Sequence, residues 1–572
     1  MAQSENDHGL HAVAITDRVE QLSRRLARTW AVVAVSVFVM LAVTVGFPHG
    51  PDLELWERQA QLLTLVILAI GTVVAWHWEG IGGGILVVAA ASLGVFAALQ
   101  HQPLLAFIPA AVFLVPAVAF LVAWHRTKSV ASIVFLATVV IMVLFTGSVI
   151  AQSLYDHGYG PSHPESDRTA LPDSPVTWLW TGGVTDTSAT IVARVEDANT
   201  TTAVVTDDGG RSHSIDGAGT DGVWRFELSQ LIPKTNYTYS FIVDDILRPE
   251  RSGSFHTFSS QAASFTVAIG SCARLGSNGA VYDTILQAQP DLFLVPGDFF
   301  YADYMETAAQ FTESFDKTLT QPAQAALLAS VPVAYVWDDH DYGGNDSDRT
   351  APTRRLARDA YTSYVPHYPL PDAESINQTF SIGRVQFILL DGRSMRDPNT
   401  ITDSKDKTML GTTQFGWLQE QLLAAASTHS LTIVVSSVPW IAAAEPGADH
   451  WGGYTSERVR LANFIADHDI NNILMVAGDA HMVAIDDGTN TDYSAAGNAA
   501  FPLLHAAALD RPGSAKGGPY SEGAFPGGGQ FGFVEIVDTG GSEIGVRLAG
   551  LDWTGVTIVD YSFTVSAAAV AP

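Results

Sequence analysis

Three parts of the chain differ in the spacing of their hydrophobic residues. Before residue 152, five almost uncharged apolar segments follow one another, each close to the roughly 20 residues that a helix needs to cross a bilayer. A cleaved signal peptide would need only the first segment, so we predict five transmembrane helices within residues 29–151, after a cytoplasmic N-terminus at 1–28. The apolar segments are 30–47, 60–76, 81–99, 104–124 and 130–151.

The basic residues around these segments predict their orientation. Arg24, Arg25 and Arg28 precede the first segment, and Arg126 and Lys128 lie between the fourth and the fifth. Positively charged flanks stay on the cytoplasmic side, and an odd number of crossings sends the rest of the chain outside. We therefore expect a multi-pass cell-membrane protein whose large polar part, after residue 151, is extracytoplasmic.

The next part alternates apolar and polar residues over short stretches. Residues 152–175 are rich in Pro, Gly, Ser, His and Asp, which predicts an extended linker. From 176 to 260, short strands such as 190–195 and 237–243 are separated by turn residues, which predicts a small β-sandwich. The stretch 231–239 resembles the corner of a fibronectin type III-like domain. A spacer or lid is favoured over a ligand-binding module, because no binding site is evident.

In residues 261–572, apolar strands alternate with amphipathic helices, which is typical of an α/β core. Six of these strands are followed by residues whose side chains can bind metals or take part in catalysis. Ligand sites of open α/β sheets lie at such carboxyl ends of strands. We expect all six endings to meet at one edge. The strands and the polar residues that follow them are 265–269 with Cys272, 292–295 with Asp298 and Tyr301, 331–336 with Asp338 to Asp341, 385–390 with Asp391 and Arg393, 431–435 with Ser436 and Ser437, and 473–477 with Asp479 and His481.

Charge excludes one class of partner. The 572 residues carry 30 basic and 59 acidic side chains, a net charge of −29, and such a surface repels nucleic acids. Only 16% of residues are charged, so the chain is not a disordered acidic protein. No nucleic-acid partner is expected.

The strand endings predict a metal site. Three carboxylates and an imidazole in the segment 338–341 would repel one another without a cation between them. Carboxylate oxygens with imidazoles suit divalent or trivalent metals. Cys272 is the only cysteine of the chain and cannot form an internal disulfide, and its place beside the acids favours metal ligation over simple core packing. For Tyr301, ligation and packing are about equally favoured.

These motifs resemble those of the PhoD-like alkaline phosphatase and phosphodiesterase family, within the calcineurin-like metallophosphatases. The resemblance covers 176–258 and about 264–560 and leaves the apolar segments outside. Its landmarks are Gly-Ser-Cys at 270–272, Gly-Asp-Phe-Phe-Tyr at 297–301, Trp-Asp-Asp-His-Asp at 337–341, Asp-Gly-Arg at 391–393 and Gly-Asp-Ala-His at 478–481.

The resemblance implies a multidomain chain: a transmembrane helical segment, a fibronectin III-like sandwich, and a metallophosphatase core whose two β-layers are flanked by helices. It implies a di- or trinuclear metal site with iron and calcium, while the donor types also allow Mn or Zn. His340 would face substrate or protonate the leaving oxygen, and Arg393 would grip phosphoryl oxygens. The implied metal ligands are Cys272, Asp298, Tyr301, Asp339, Asn345, Asp479 and His481.

Together these features predict a membrane-anchored metallophosphoesterase. A metal-held hydroxide would attack the phosphorus of a small-molecule or cell-envelope phosphate mono- or diester. Asp338 and Asp341 are expected to orient their neighbours rather than bind metal. The alternatives are a non-enzymatic membrane sensor or scaffold that retains the fold, and a transporter, which the lack of charged residues in mid-segment disfavours.

Overall fold

The computed structural model describes residues 55–99, 164–303 and 305–566, with short pieces between 25 and 36 and between 116 and 120. The chain divides into two compact units, Met1–Gly158 and Tyr159–Pro572.

The first unit contains two consecutive helices, α1 (Leu55–His77) and α2 (Glu79–Leu99), which pack against each other through residues such as Leu68 and Leu86. Among the described residues, no helix combines the length and apolar character required to cross a membrane. The predicted set of five spanning helices is therefore not supported there, and most of the other three apolar segments lies outside the described residues.

The second unit is built from three sheets in the part that the structure describes. Its helices are α3 (Ala280–Gln287), α4 (Ala308–Leu319), α5 (Pro322–Ser330), α6 (Asp339–Tyr342), α7 (Arg354–Tyr364), α8 (Gly411–Thr428) and α9 (Thr455–Asp467), with a 3-10 turn at Trp451–Gly453. Its strands are β1 (Val176–Gly182), β2 (Ala189–Val195), β3 (Thr201–Asp207), β4 (Ser212–Asp216), β5 (Ala218–Thr220), β6 (Val223–Leu228), β7 (Asn236–Val243), β8 (Ile246–His256), β9 (Phe265–Ile269), β10 (Leu292–Val295), β11 (Val333–Tyr335), β12 (Gln378–Ile382), β13 (Val385–Leu389), β14 (Leu431–Ser436), β15 (Ile473–Ala477), β16 (Met482–Asp486), β17 (Leu503–Ala506), β18 (Ala524–Pro526), β19 (Gln530–Val537), β20 (Glu543–Asp552) and β21 (Thr557–Ser566).

The ten-stranded sheet has the order β21-β20-β19-β9-β10-β11-β1-β2-β6-β5, and the seven-stranded sheet has the order β12-β13-β14-β15-β17-β16-β18. The six strands predicted to carry the site therefore belong to two sheets rather than one. Strands β9 to β11 run parallel in the first, and β13 to β15 run parallel in the second. The site lies where these two sets of carboxyl ends meet.

The sandwich predicted for 176–260 shares a sheet with the catalytic core. Strand β1 pairs antiparallel with β2 on one side and parallel with β11 on the other, with Gly182 opposite Val333. A separate four-stranded sheet, β4-β3-β7-β8, faces this end of the long sheet, and Phe226 and Phe241 meet across the gap with ring centroids 5.4 Å apart. The sandwich is thus continuous with the sheet that carries the site.

Two smaller sequence expectations have clear structural outcomes. The hydroxyl of Tyr237 accepts a 2.9 Å hydrogen bond from the backbone N–H of Ile232, which is the arrangement of a tyrosine corner. The described end of the predicted linker is not a free tether, because Glu165 bridges to Gly279 and the Pro164 carbonyl accepts from Ala280. This stretch therefore lies along the catalytic core.

Hydrophobic burial holds the layers together. The two large sheets share one core in which side chains such as Phe293 and Val476 are fully buried. Helices α8 and α9 cover the other face of the seven-stranded sheet through residues such as Leu418 and Leu461. Each such side chain stabilises the fold by about 1.5–3 kcal/mol relative to exposure. The site thus stands on a rigid two-layer frame.

Candidate metal centre

Hydrogen bonds between the strand ends of the two large sheets fix the walls of the site. The indole N–H of Trp337 donates to Asp391 Oδ1 at 2.9 Å, and the Ser437 hydroxyl donates to Asp338 Oδ1 at 2.6 Å. In each pair, one residue follows a strand of the ten-stranded sheet and the other a strand of the seven-stranded sheet. Because the partners are buried, these contacts hold the two sets of strand ends in register.

Three predicted metal ligands share an unusual backbone conformation. Cys272, Asp298 and Asp479 have φ values of 59°, 51° and 72°, in the left-handed region that non-glycine residues seldom occupy. Such conformations cost on the order of 1–3 kcal/mol each and cluster at functional sites. Gly297, with φ of 122°, has no room for a side chain, since an added Cβ would lie 2.5 Å from that of Asp338. The turns are therefore shaped to aim side chains into the site.

Cys272 and Asp298 are both fully buried and lie side by side, with Sγ 3.3 Å from Oδ2. Burial, reinforced by the nearby Asp298 carboxylate, raises the pKa of the Cys272 thiol well above its ordinary value. Burial likewise raises the pKa of Asp298 to about 7. Burial thus disfavours the ionised form of both groups, and a bound metal ion would reverse this. The pair is suited to binding a metal as thiolate and carboxylate.

Tyr301 and His481 form the second predicted pair of ligands. The Tyr301 hydroxyl lies 2.8 Å from Nε2 of His481, and Nδ1 of His481 lies 2.7 Å from the carbonyl oxygen of Pro512. A carbonyl only accepts, so Nδ1 carries the proton and Nε2 presents its lone pair to the site. Burial, with the positive charges of Arg511 and Lys516, holds the pKa of His481 well below its ordinary value. The imidazole is thus neutral, as a metal ligand must be.

Asp339 stands between two groups of donors. Its carboxylate lies within 4.8 Å of ligand atoms of Asp298 and His340 in one group, and of Asp346 and Asp449 in the other. Although burial acts to raise the pKa of Asp339, nearby positive charges, chiefly Arg393, hold it below its ordinary range. Asp339 is therefore an anion placed to serve two cation positions.

The loop after α6 adds a carboxylate beside the predicted ligand Asn345. Asn345 and Asp346 are both exposed, and Asp346 belongs to the second donor group. The backbone N–H of Asp346 donates to Asp339 Oδ2 at 2.8 Å, which places this loop next to Asp339. Sequence reasoning did not single out Asp346, and Asn345 stays a predicted ligand.

His340 is held on two sides. Its ring stacks on that of Tyr301 with centroids 3.7 Å apart, and its Nδ1 makes a very short hydrogen bond with Asp303. Burial acts to lower the pKa of His340, but the carboxylates of Asp339, Asp298 and Asp303 outweigh it and raise the pKa to about 10. The imidazolium can thus donate a proton through Nε2. Sequence reasoning missed Asp303, although it lies two residues after Tyr301 in the same loop.

Arg393 is not free to grip a substrate, contrary to the sequence-based expectation. Its side chain is 0% exposed, its Nε donates to Asp338 Oδ1 at 2.6 Å, and its two terminal nitrogens donate to the two Asp449 oxygens at 2.9 and 2.7 Å. This fork satisfies both carboxylates at once. Arg393 therefore fixes the positions of the Asp338 and Asp449 carboxylates. The sequence did not single out Asp449, which accepts two of these hydrogen bonds.

Two further cations come from the segment after β17. The Arg511 guanidinium lies over the Tyr301 ring at 4.3 Å, and Lys516 Nζ lies 2.5 Å from Asp479 Oδ1. Neither was found from the sequence, because the segment shows no periodic pattern. Asp479 Oδ2 and Asp338 Oδ2 are buried without a hydrogen-bond partner among the described residues. The free oxygen of Asp479, in a site that also contains a thiol, a phenol and a neutral imidazole, fits a metal centre.

The two packed sheets and this donor set describe an α/β protein with a candidate metal centre at the ends of its parallel strands. Residues 265–503 match the family model described as PhoD-like phosphatase, and residues 16–132 match a second model, described as a domain of unknown function (DUF7670). The first match confirms the predicted resemblance of the catalytic region to PhoD-like phosphatases.

Individual proteins agree with that family match. Alkaline phosphatase D of Bacillus subtilis (strain 168) is 28% identical over 191 residues, which are 27% of this chain and 32% of that protein. The alignment thus spans about a third of the relative's length. The solved structure of PhoD superposes with a TM-score of 0.57 at 17% identity, covering 70% of this chain and 92% of that chain. That likeness establishes the fold.

Proposed function

We propose that this chain is a metal-dependent hydrolase of phosphate monoesters, diesters or both. The observation that carries the proposal is the convergence of Asp298, Asp339 and His340 within 4.8 Å, with the Cys272 thiol 3.3 Å from Asp298. The shared carboxylate could bind two metal ions that activate water, and a protonated histidine beside it could protonate the leaving oxygen of a phosphoester.

Each residue has a part in this proposal. Cys272, Asp298, Tyr301, Asp479 and His481 would hold one metal ion, and Asp339 would extend the site to a second. Bound metal ions would supply Lewis-acid activation of water and neutralise phosphoryl charge.

The remaining groups act around the metal ligands. His340 donates a proton to the leaving oxygen, and Asp303 fixes the ring so that Nε2 faces the substrate. Arg393 keeps Asp338 and Asp449 in place and does not contact the substrate.

The donor types indicate which metals to test first. A thiol, a phenol and an imidazole around Asp298 suit iron, whereas a position lined by carboxylate oxygens alone suits calcium. Manganese and zinc are compatible with the same mixed ligands. The substrate class is a small-molecule or cell-envelope phosphoester, and the net charge of −29 disfavours nucleic acid.

We also propose that residues 29–151 anchor the protein in the cell membrane, with the catalytic unit outside. This proposal rests on the five apolar segments and their basic flanks in the sequence. Carbonate extraction of membranes and protease treatment of intact cells test it. Release of the full chain by carbonate, or protection of the catalytic unit from protease, would reject it.

Hydrolysis is tested on the purified full chain with nitrophenyl phosphate and bis-nitrophenyl phosphate, before and after chelation and with each metal restored. Activity that disappears on chelation and returns with metal supports the proposal. An active protein that chelation does not affect, or an inactive one under every metal, contradicts it.

A further inference from the structure

Lys516 reaches into the metal centre from a segment outside the matched residues 265–503. Its Nζ lies 2.5 Å from Asp479 Oδ1, at the distance of a strong charge-assisted hydrogen bond. The side chain of Asp479 is only 5% exposed, whereas that of Lys516 is 44% exposed. The ammonium group is therefore inserted against a buried carboxylate while its stem stays in solvent.

The surroundings of this ammonium group are those of a cation position. Besides Asp479, which it contacts, the ammonium group is attracted by the carboxylates of Asp339 and Asp449. Asp339 and Asp449 belong to the donor groups described above. The second oxygen of Asp479 is buried and has no hydrogen-bond partner among the described residues. This free oxygen is available to bind a metal ion while the other oxygen faces Lys516.

The backbone around Lys516 is fixed while the side chain is not. The N–H of Ser514 donates to the His481 carbonyl at 2.9 Å, and the N–H of Gly518 donates to the Ile441 carbonyl at 2.8 Å. Gly517 adopts a φ of 74°, which turns the chain directly after the lysine. The exposed stem can therefore swing away without any loss of core packing or of these anchors.

We propose that the Lys516 ammonium group and a metal ion are alternative occupants of the Asp479 carboxylate. The inference rests on the proposed metal-dependent function and adds a control of metal occupancy to it. Lys516 neutralises Asp479 in the metal-free protein, and a metal ion at Asp479 displaces it. A metal ion bound to Asp479 would lie within a few ångströms of the ammonium group, and the repulsion between these two positive charges lowers the apparent metal affinity.

The test is a titration of the metal-stripped full chain with Mn²⁺, in which free Mn²⁺ is followed by electron paramagnetic resonance. Lys516→Met is compared with the wild type, with Lys516→Arg, which keeps the charge, and with Lys405→Met, which removes a lysine from a surface groove beside α9. We expect Lys516→Met to bind Mn²⁺ at least about tenfold more tightly, or to bind one equivalent more, because a charged hydrogen bond no longer competes. Both control variants should match the wild type.

Thermal unfolding separates exchange from a merely structural role. Without metal, Lys516→Met should melt at a lower temperature than the wild type, and saturating Mn²⁺ should abolish that difference. A difference that persists at saturation, equal or weaker Mn²⁺ binding by Lys516→Met, or no binding by either protein overturns the inference. If Lys516→Met does not fold, Lys516→Gln decides the question in the same titration.

This titration does not measure hydrolysis, so the two proposals fail separately. Tighter Mn²⁺ binding by Lys516→Met in a protein that hydrolyses no phosphoester would reject the proposed function and keep the exchange. Unchanged binding in an active, chelator-sensitive enzyme would reject the exchange and keep the function.

Discussion

The Tyr301 hydroxyl lies 2.8 Å from Nε2 of His481, although 180 residues separate the two along the chain. One follows β10 in the ten-stranded sheet and the other follows β15 in the seven-stranded sheet. Nδ1 of His481 is committed to the Pro512 carbonyl, so the lone pair of Nε2 points at the phenol. Both atoms could bind a metal ion, the phenol after losing its proton.

Cys272 should be a thiolate ligand and not only a core residue. We expect Cys272→Ser to weaken Co²⁺ binding by at least about tenfold, the lower bound for losing a ligand. The thiolate-to-cobalt absorption band in the near ultraviolet should also vanish. Because Cys272 is the only cysteine, the band has no other source. A band that survives in Cys272→Ser would show that the thiol does not bind metal.

Asp303 should act through His340. Asp303→Asn leaves the metal ligands in place but frees the imidazole ring, so kcat should fall about tenfold or more with little change in KM. The loss should be larger for phenyl phosphate than for nitrophenyl phosphate, because a poorer leaving group depends more on its proton donor. Asp208→Asn, at an exposed turn of the sandwich, serves as the control. An equal loss on both substrates would argue against proton donation by His340.

Arg393 should matter for stability rather than for substrate affinity. Arg393→Met removes the ion-pair partner of the buried Asp338 carboxylate, whereas Asp449 keeps its pair with Arg396. Breaking a buried pair in this way typically costs about 3–5 kcal/mol. The urea midpoint should fall accordingly, and adding Asp338→Asn should recover part of the loss. An unchanged midpoint with a raised KM would instead restore the role of substrate contact predicted from the sequence.

His367 should make stability sensitive to acid. Burial lowers the pKa of this histidine to about 4 in the folded protein, below the ordinary value near 6.5. The unfolded chain therefore binds the extra proton first as the pH falls, so stability is complete above about 6.5 and declines toward 4.

The contribution of this one side chain should be about 2 kcal/mol, allowing for its partial exposure. Urea unfolding of the wild type and of His367→Gln at pH 7.5 and pH 5 measures it, and the variant should lose less stability on acidification. Equal losses in the two proteins would exclude His367 as the source.

The sequence predicted the strand content of the catalytic core well. Apolar runs at 265–269, 292–295 and 473–477 are strands with those bounds, since a buried strand has a clear signature of length and composition. Which sheet each strand joins could not be read from the runs, because parallel strands look alike wherever they pair. The expectation of a single edge was wrong for that reason.

The candidate site was predicted where its residues follow strands and missed where they do not. Cys272, Asp298, Asp339 and His340 were found from strand endings and come together as expected. Lys516 lies on a long irregular segment with no periodicity to mark it. Arg393 was predicted to bind substrate because a sequence does not show burial. In the structure, its guanidinium group is buried and pairs with Asp338 and Asp449. The metal-ligand roles themselves stay predictions.

Asp298 carries the central claim, because its carboxylate lies in the first donor group and beside Cys272. The most direct measurement is metal content and phosphoester hydrolysis of the purified full chain, wild type and Asp298→Asn side by side, with Asp208→Asn as the control. We expect bound metal and hydrolysis in the wild type and in Asp208→Asn. In Asp298→Asn, metal should be lost and the rate should fall at least about a thousandfold, with the fold retained because a buried charge has been removed. Full activity in Asp298→Asn, or a folded wild type with neither metal nor hydrolysis, would contradict the account.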